Sequence, residues 1–291
     1  MPVSVGVIAQ TIEKIAPKAW AEEWDNVGLL VGSFSSSVER VLVTLDLTPG
    51  ILEEAIQKDA QLIVAHHPIM FRPLKNLRSD SQGAHLPLKL VQAGIGYYAA
   101  HTNLDQTTYS SCWSLGKALA LDKMEYLRVT DAAHPYEEPA YDLIPLFNTG
   151  ATRGYGVMGY LKEPVSLEAI ASLLTVELKK LAPSNLEGKP VLRLAGDSQR
   201  RIRKVAIVNG SGGSFIAKAL FNGVDLLITG DVDHHEALDA LEAGLSIIDM
   251  GHFWGEVPMV QTLAGYLSNE KALAGVDVLI SQRMKSPWQS L

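Results

Sequence analysis

The chain has 291 residues, of which 47% are hydrophobic, and this is enough to build one large domain or two modest ones. Its net charge is -7, and no run of lysines or arginines offsets it. This argues against extensive electrostatic binding to nucleic acid or to an anionic membrane. The single cysteine, Cys112, excludes an internal disulfide and favours a reducing compartment, so we expect a cytoplasmic location. The sequence shows neither a secretory leader nor a long uninterrupted apolar window, and we therefore expect a soluble, unexported protein.

The first polar motif in chain order is "WDNVGLLVG", which places Asp25 and Asn26 directly before an apolar run. Both residue types are common in turns and caps, because their short side chains hydrogen-bond to the neighbouring backbone. We prefer this structural interpretation to the alternative, in which the two residues contribute to a metal pocket.

Strand and helix patterns then alternate along the chain. "RVLVTLD" (40–46) and "QLIVAHHP" (61–68) are typical of buried strands, and "PGILEEAIQKDA" (49–60) between them has helical periodicity. This order predicts parallel strand pairing and an α/β fold class. Because the strands are continuous apolar runs, helices are expected to cover both faces of the sheet.

Two adjacent histidines, His66 and His67, close the second of these strands, and His101 and Asp105 follow the next one. Ligand sites in α/β folds lie at the carboxyl ends of parallel strands, where the loops converge. A histidine pair at a strand end is, however, more often a hydrogen-bonded structural feature than a ligand set. Asp105 could likewise be only the cap of a helix that begins near Thr107.

A different pattern interrupts the α/β alternation after residue 123. Strand, turn, strand and then the amphipathic helix "SLEAIASLLTVELKKL" fit this stretch best, and a Pro/Gly/Asn-rich linker follows it. We predict a small inserted α+β subdomain (124–188) between a first α/β half (1–123) and a second (189–291).

The predicted subdomain carries its own polar motif, "HPYEEPAYD". Its residues His134, Tyr136, Glu137 and Glu138 could form a second polar site. Proline cannot donate a ladder hydrogen bond and is confined to edge strands, so we prefer a proline-bracketed strand edge.

The second half repeats the first. Residues 204–231, "KVAIVNGSGGSFIAKALFNGVDLLITGD", match residues 40–67 element for element without a gap. Residues 93–105 also parallel residues 243–256, each being a strand that ends in a histidine followed four positions later by an acid. Two α/β units can look alike through secondary structure alone, but the gap-free match favours an internal duplication.

Two motifs of the second half allow a functional and a structural interpretation. "NGSGGSF" (209–215) could hold a phosphate on its backbone N–H groups, but it lacks the lysine of a Walker loop and we prefer an ordinary glycine-rich turn. In "TGDVDHHEALDA", which contains Asp231, His234 and His235, we prefer a plain N-cap followed by a helix.

The last candidate pair is His252 and Glu256 in "DMGHFWGE". Proline is tolerated only in the first turn of a helix, so Pro258 places the helix start near Gly255 and leaves His252 in the preceding loop. The pair is therefore not predicted to share one helical face, although Gly251 would allow a tight turn that folds both side chains onto one ion. Glu256 could also serve only the helix dipole.

Imidazoles and carboxylates in matched positions of the repeated unit together predict a catalytic type of metal site for two divalent ions such as zinc, iron or manganese. Adjacent residues of an extended segment point to opposite sides, so one ion cannot easily bind both His66 and His67. The two histidines could instead straddle a pair of ions about 3.5–4 Å apart, with a carboxylate as the bridge.

The motifs resemble the Nif3-like family of dinuclear-metal proteins, also labelled GTP cyclohydrolase I type 2 homologues. The resemblance rests on "EEWDNVGLLVG", "LIVAHHPIMF", "AHTNLDQ", "LLITGDVDHHEALDA" and "DMGHFWGE", and it spans nearly the whole chain. It implies a Nif3-like fold, in which "HPYEEPAYDLIPL" is similar to part of the CutA/PII-like inserted domain of longer members.

The resemblance also implies a ligand set, which consists of His66, His67, Asp105, His252 and Glu256. His67 and Asp105 would hold one ion, His66 and His252 would hold the other, and Glu256 would be shared. The same resemblance implies ring-shaped homohexamers whose metal sites face an internal cavity.

His101 and His235 fall outside the implied ligand set and are candidates for catalytic proton transfer. His235 is preferred over its neighbour His234 because the family pattern keeps a histidine there. We hypothesise a dinuclear metal-dependent hydrolase, in which a metal-activated water attacks a phosphoester or a cyclic C–N bond.

The substrate implied by the resemblance is a small molecule like GTP, whose phosphates the glycine-rich motif would fit. The alternative function is a non-catalytic protein that stores, senses or delivers metal, or that scaffolds a partner. Nucleic-acid binding is a weaker third alternative because of the acidic charge balance.

Overall fold

The computed structural model describes residues 2–81, 83–131 and 153–288. The strands are β1 (Val3–Ser4), β2 (Gly28–Val31), β3 (Ser37–Val38), β4 (Arg40–Thr44), β5 (Leu62–Ala65), β6 (Gly96–Ala99), β7 (Asp122–Asp131), β8 (Arg153–Ser166), β9 (Arg193–Ala195), β10 (Arg201–Ser211), β11 (Leu226–Gly230), β12 (Ser246–Asp249) and β13 (Asp277–Ile280). The α-helices are α1 (Val5–Ile15), α2 (Pro49–Gln57), α3 (His85–Ala93), α4 (Thr102–Asp105), α5 (Ser111–Ala118), α6 (Leu167–Leu181), α7 (Ile216–Phe221), α8 (His234–Glu242), α9 (His252–Glu256) and α10 (Pro258–Asn269). None of these described helices is both long enough and apolar enough to cross a lipid bilayer.

The chain divides into two compact units. Unit 1 comprises Met1–Leu104 and Met259–Lys285, and unit 2 comprises Asp105–Pro258 and Ser286–Leu291. The chain therefore leaves unit 1 at the end of α4 and returns to it within the first turn of α10. The division at residues 123 and 188 that the sequence suggests remains a prediction.

Unit 1 is built on a five-stranded sheet with the order β13, β4, β5, β6, β2. The first four strands are parallel, and β2 runs antiparallel to β6 at one edge. Every residue of β5 and β6 is buried, as expected for parallel strands that are covered on both faces. The predicted α/β fold class with mainly parallel sheets is confirmed.

Helix α2 connects β4 to β5 and shows why the sequence folds this way locally. The Thr48 side chain accepts a hydrogen bond from the backbone N–H of Ile51 and so caps the helix. Pro49 occupies the first helical turn, where its missing N–H removes no intrahelical hydrogen bond. The short crossover returns the chain to the amino end of the sheet, and both strands then end at the same edge.

Unit 2 is built on a six-stranded sheet with the order β7, β8, β10, β11, β12, β9. Its centre, β10 to β12, is parallel, whereas β8 pairs antiparallel with β10 and β9 with β12. Strands β7 and β8, which lie within the predicted insertion apart from the first residues of β7, thus extend this sheet. His134, Tyr136, Glu137 and Glu138 lie outside the described residues, so their predicted role stays open.

The first pair of parallel strands has the same register in each of the two sheets. Val41 pairs with Leu62 between β4 and β5, and Val205 pairs with Leu226 between β10 and β11. These are the same positions that the gap-free alignment of the two halves equates, and the register therefore agrees with the predicted duplication. Each parallel core strand directs its carboxyl end toward the loops that carry the candidate ligands.

Candidate metal-binding groups

Three histidines of unit 1 converge at the carboxyl ends of two neighbouring strands. His66 and His67 follow β5, and His101 follows β6, which pairs with β5. One potential ligand atom of each histidine lies within 4.8 Å of those of the other two. The ring centroids of His66 and His67 are 5.0 Å apart, because β5 has already ended and the chain bends at both residues. The alternation of side chains along a strand therefore does not separate this histidine cluster (His66, His67 and His101).

All three rings of the histidine cluster are anchored in the same way. Each Nδ1 atom contacts an oxygen that can only accept a hydrogen bond, so Nδ1 carries a proton and Nε2 is the nitrogen available to bind a metal ion. The Nδ1–oxygen distances are 2.7 Å from His66 to the Ala100 carbonyl, 2.7 Å from His67 to the Asp46 carboxylate and 2.9 Å from His101 to the Asp25 carboxylate. Histidines that bind metals are typically oriented by such a partner on the other ring nitrogen.

Asp25 contributes to the histidine cluster as well as to the local turn. Its side chain is fully buried and accepts hydrogen bonds from Nδ1 of His101 and from the backbone and hydroxyl of Thr102. Burial alone would raise the pKa of this carboxyl, but the hydrogen bonds from His101 and Thr102 outweigh it and hold the pKa at about 2. Asp25 thus makes the local turn contact that the structural interpretation of "WDN" predicts, a hydrogen bond from the Asn26 N–H, and in addition orients His101.

Unit 2 carries His252 and Glu256 on one short helix, α9. Nε2 of His252 lies 3.0 Å from Oε2 of Glu256, one helical turn along the chain. The predicted helix start near Gly255 is wrong: Gly251, with a φ of +75°, turns the chain directly before His252, which becomes the first helical residue. Pro258 instead begins the separate helix α10, where a proline at the first position is tolerated.

His252 is anchored like the histidines of unit 1. Its Nδ1 atom lies 2.8 Å from Oδ2 of Asp231, which again fixes the proton on Nδ1 and leaves Nε2 as the basic nitrogen. Asp231 has a φ of +54°, a left-handed conformation that non-glycine residues adopt infrequently and that clusters at functional sites. The N-cap and helix predicted in this motif are confirmed: Asp233 caps α8 and forms a capping box with Glu236.

Asp105 is the last residue of α4, and the alternative that it caps a helix near Thr107 is wrong, because α5 begins only at Ser111. The Asp105 carboxylate accepts a 2.6 Å hydrogen bond from Nδ2 of Asn209, and the Cys112 thiol donates to Oδ1 of the same asparagine. A carboxylate oxygen of Asp105 lies within 4.8 Å of one of Glu256. We call the two carboxylates Asp105 and Glu256, together with the neighbouring His252, the carboxylate cluster of unit 2.

A family model described as Duf34/NIF3 (NGG1p interacting factor 3) matches residues 3–287 of the chain. The chain belongs to the Duf34/NIF3 family. A relative from Halalkalibacterium halodurans named "GTP cyclohydrolase 1 type 2 homolog" is 33% identical over 84% of this chain and 87% of its own length. A relative of the same name from Clostridium perfringens is 32% identical over 97% of both chains. A solved Bacillus cereus protein related to NIF3 superposes with a TM-score of 0.82 at 28% identity, covering 100% of this chain and 99% of its own.

In this Duf34/NIF3 chain the glycine-rich motif serves the carboxylate cluster. Gly210 has a φ of +60°, and a Cβ atom there would overlap Oε1 of Glu256 and lie 3.4 Å from Nε2 of His252. The carboxylate of Glu236 lies so close to Gly213 that a Cβ atom there would overlap it. Its negative charge would repel a phosphate at this turn. The geometry therefore agrees with the preferred interpretation of "NGSGGSF" as a turn.

The donor set of these Duf34/NIF3 residues fits divalent metal ions. Anchored imidazoles with a basic Nε2, together with carboxylates, are the ligands that zinc, iron and manganese accept. The 3.0 Å between Nε2 of His252 and Oε2 of Glu256 is about the separation of two atoms that bind one ion at right angles. The described histidine and carboxylate groups can thus hold metal ions.

His235, the second predicted proton-transfer residue, lies exposed in the first turn of α8 with its ring 5.3 Å from that of His234. Its predicted role stays a prediction. Sequence reasoning overlooked Asp46, which orients His67. The predicted duplication gave no signal for it, since the gap-free alignment equates Asp46 with Gly210 and His67 with Asp231.

Proposed function

We propose that the chain is a dinuclear metal-dependent hydrolase. The observation that carries the proposal is the common anchoring of four imidazoles, each of which donates from Nδ1 to an oxygen acceptor and so presents Nε2. The ligands implied by the family resemblance are His66, His67, Asp105, His252 and Glu256, with Glu256 binding both ions. Bound divalent ions would polarise a substrate oxygen and lower the pKa of a water molecule toward neutrality.

The surrounding residues prepare these ligands for ion binding. The hydrogen bond from Nδ1 to Asp46 fixes the ring orientation of His67 and makes its Nε2 more basic. Asp231 has the same effect on His252. Because the rings are already oriented, little side-chain entropy is lost when they bind an ion.

His101 is the proposed proton carrier. It is not in the implied ligand set, yet its ligand atom lies within 4.8 Å of those of His66 and His67. Asp25, whose pKa is about 2, stays ionised at neutral pH and stabilises the imidazolium that forms when His101 accepts a proton. His235 is retained as the second proposed proton-transfer residue, although it is exposed on α8.

The proposed substrate is a small molecule with a phosphoester or a cyclic C–N bond. A nucleotide is the first class to test, because the relatives carry the name "GTP cyclohydrolase 1 type 2 homolog". The proposal includes a homohexamer in the cytoplasm, without a membrane or nucleic-acid partner. Light scattering on the purified protein measures the assembly directly, and a monomer would contradict that part of the proposal.

The test begins with metal analysis of protein purified without chelators, followed by reconstitution with zinc, iron or manganese. We expect two ions per chain and turnover of at least one compound from a panel of nucleotides and generic phosphoesters. His67→Ala should lose metal and activity, while His85→Ala serves as the control, because His85 lies on α3 and contacts the carbonyl of Ser79.

Two results would change the proposal. Full metal binding without turnover on the whole panel, with any of the three ions, would favour the alternative of a metal-storing, metal-delivering or scaffolding protein. Failure of the folded wild-type protein to bind metal would overturn the hydrolase and the metal-storing or metal-delivering alternative, and would leave only the scaffolding role. Circular dichroism of each variant separates loss of a ligand from loss of the fold.

A further inference from the structure

Unit 2 contains a cavity of about 410 Å³ beside the anchored His252. This volume lies in the range of small-molecule sites, which is about 300–1,000 Å³. Its lining combines three aromatic residues, Phe253, Trp254 and Trp288, with the two cations Lys189 and Arg193. Apolar rings with a few convergent charged groups are the usual composition of a pocket for an organic ligand.

The cavity lining contains two cations and two carboxylates, and both carboxylates already accept hydrogen bonds from the protein. The carboxylate of Asp249 is almost fully buried and is already engaged by Arg193 and by the backbone N–H groups of Val232 and Gly251. The other lining carboxylate, Asp231, accepts a hydrogen bond from Nδ1 of His252. In contrast, Lys189 is exposed and the Arg193 side chain is 68% exposed, so both cations can still bind an anionic group.

The aromatic part of the lining favours a planar ring. Trp288 is 84% exposed at the cavity, whereas Trp254 is buried with Lys179 5.8 Å from its ring centroid. An exposed indole gains stacking and apolar contact when a flat heteroaromatic ring covers it. The lining therefore matches a ligand with a ring at one end and an anion at the other.

We infer that this cavity binds a heteroaromatic ring that carries a phosphate, with the ring stacked on Trp288 and the phosphate held by Lys189 and Arg193. The inference rests on the proposed function, since it makes the cavity the substrate pocket next to His252. It also assigns the anion contacts to these two cations instead of the glycine-rich turn, where Glu236 opposes an anion.

Calorimetric titration of the metal-depleted protein tests the inference without turnover. The probes are guanosine, adenosine and uridine monophosphates, together with guanosine and inorganic phosphate as the two separate parts of the ligand. We expect at least one monophosphate to bind more tightly than either part alone. Lys189→Gln and Trp288→Ala should each weaken that binding about tenfold.

Matched controls come from the same unit. Lys162→Gln removes an exposed lysine from β8, and Phe221→Ala removes an aromatic residue that is 84% exposed like Trp288. Neither residue lines the cavity, and both variants should bind as the wild type does. The inference is overturned if no monophosphate binds, or if all four variants retain the wild-type affinity.

The outcome separates this inference from the proposed function. Variant-sensitive binding without hydrolysis under any metal condition leaves the cavity assignment intact and removes only the hydrolase. Hydrolysis with an affinity that neither Lys189→Gln nor Trp288→Ala changes removes only the cavity assignment. If Trp288→Ala instead alters the oligomeric state and no monophosphate binds, a second copy of the chain covers the cavity and the inference is wrong.

Discussion

Nδ1 of His67 lies 2.7 Å from Oδ1 of Asp46. The two residues follow neighbouring parallel strands, since Asp46 comes after β4 and His67 after β5. The acid of one strand end thus orients the imidazole of the next, and the same kind of pair recurs between Asp231 and His252. The orientation of the proposed metal ligands therefore depends on carboxylates outside the proposed ligand set.

We expect Asp46→Ala to weaken metal binding about 10–100-fold, because His67 loses the partner that fixes its ring and raises the basicity of Nε2. Asp46→Asn should lose less metal affinity, since its amide oxygen can still accept a hydrogen bond from Nδ1 of His67. Competition with a fluorescent chelator measures both affinities. Asp80→Ala, which removes an exposed acid paired with Arg78, is the control, and an equal loss in that variant would contradict the prediction.

Asp25 should give the fold a defined acid dependence. The pKa of its buried carboxyl falls from 3.8 to about 2 on folding, which corresponds to about 2 kcal/mol of stability above pH 3.8. The sign follows from the lowered folded pKa: this stability is present above the unfolded value and is lost as the pH falls from 3.8 toward 2. Urea unfolding of metal-depleted Asp25→Asn should therefore show a deficit at pH 7 that shrinks as the pH approaches 3.

The control for this pH dependence is Asp239→Asn, which changes an exposed carboxylate on α8. Its difference from the wild type should be small at every pH. A deficit of Asp25→Asn that stays constant between pH 7 and pH 3 would mean that the charge of Asp25 is not what stabilises unit 1.

Gly210→Ala should damage metal binding in addition to stability. A Cβ atom there would displace Glu256, and the φ of +60° costs any other residue about 1–2 kcal/mol. Gly223 is the control: its φ of +64° is similar, but a Cβ atom added to it would meet no other atom within 4 Å. Gly223→Ala therefore has the same backbone strain without a steric clash. Thermal unfolding should place both variants below the wild type, and only Gly210→Ala should lose metal affinity in a chelator titration.

Cys112 should be unreactive in the folded protein. Burial raises the pKa of its thiol to about 12, and the charges of Asp105 and Glu256 add to this effect. The thiolate fraction at neutral pH is then about a thousandfold lower than for a thiol with the ordinary pKa of 9.0. Dithionitrobenzoate should label the urea-unfolded chain quickly and the native chain hardly at all, and fast native labelling would refute this.

The fold class and most of the candidate ligands were accessible from the sequence. Apolar runs and helical periodicity are local properties, so the strands around Val41, Leu62, Val205 and Leu226 and the helices between them could be read directly. The predicted duplication then indicated histidines and acids at matching strand ends. The start of α9 was misplaced because Pro258 was assigned to the same helix as Glu256, whereas it opens the next one.

Only the tertiary structure decided how the candidate ligands are held. The partner of His101 is Asp25, 76 positions earlier, and the partner of Asp105 is Asn209, 104 positions later. Such pairs leave no local sequence pattern, because their members are far apart along the chain and come into contact only when the sheet forms. The sequence by itself thus determined which residue types could bind metal, whereas folding determined which imidazole nitrogen carries the proton.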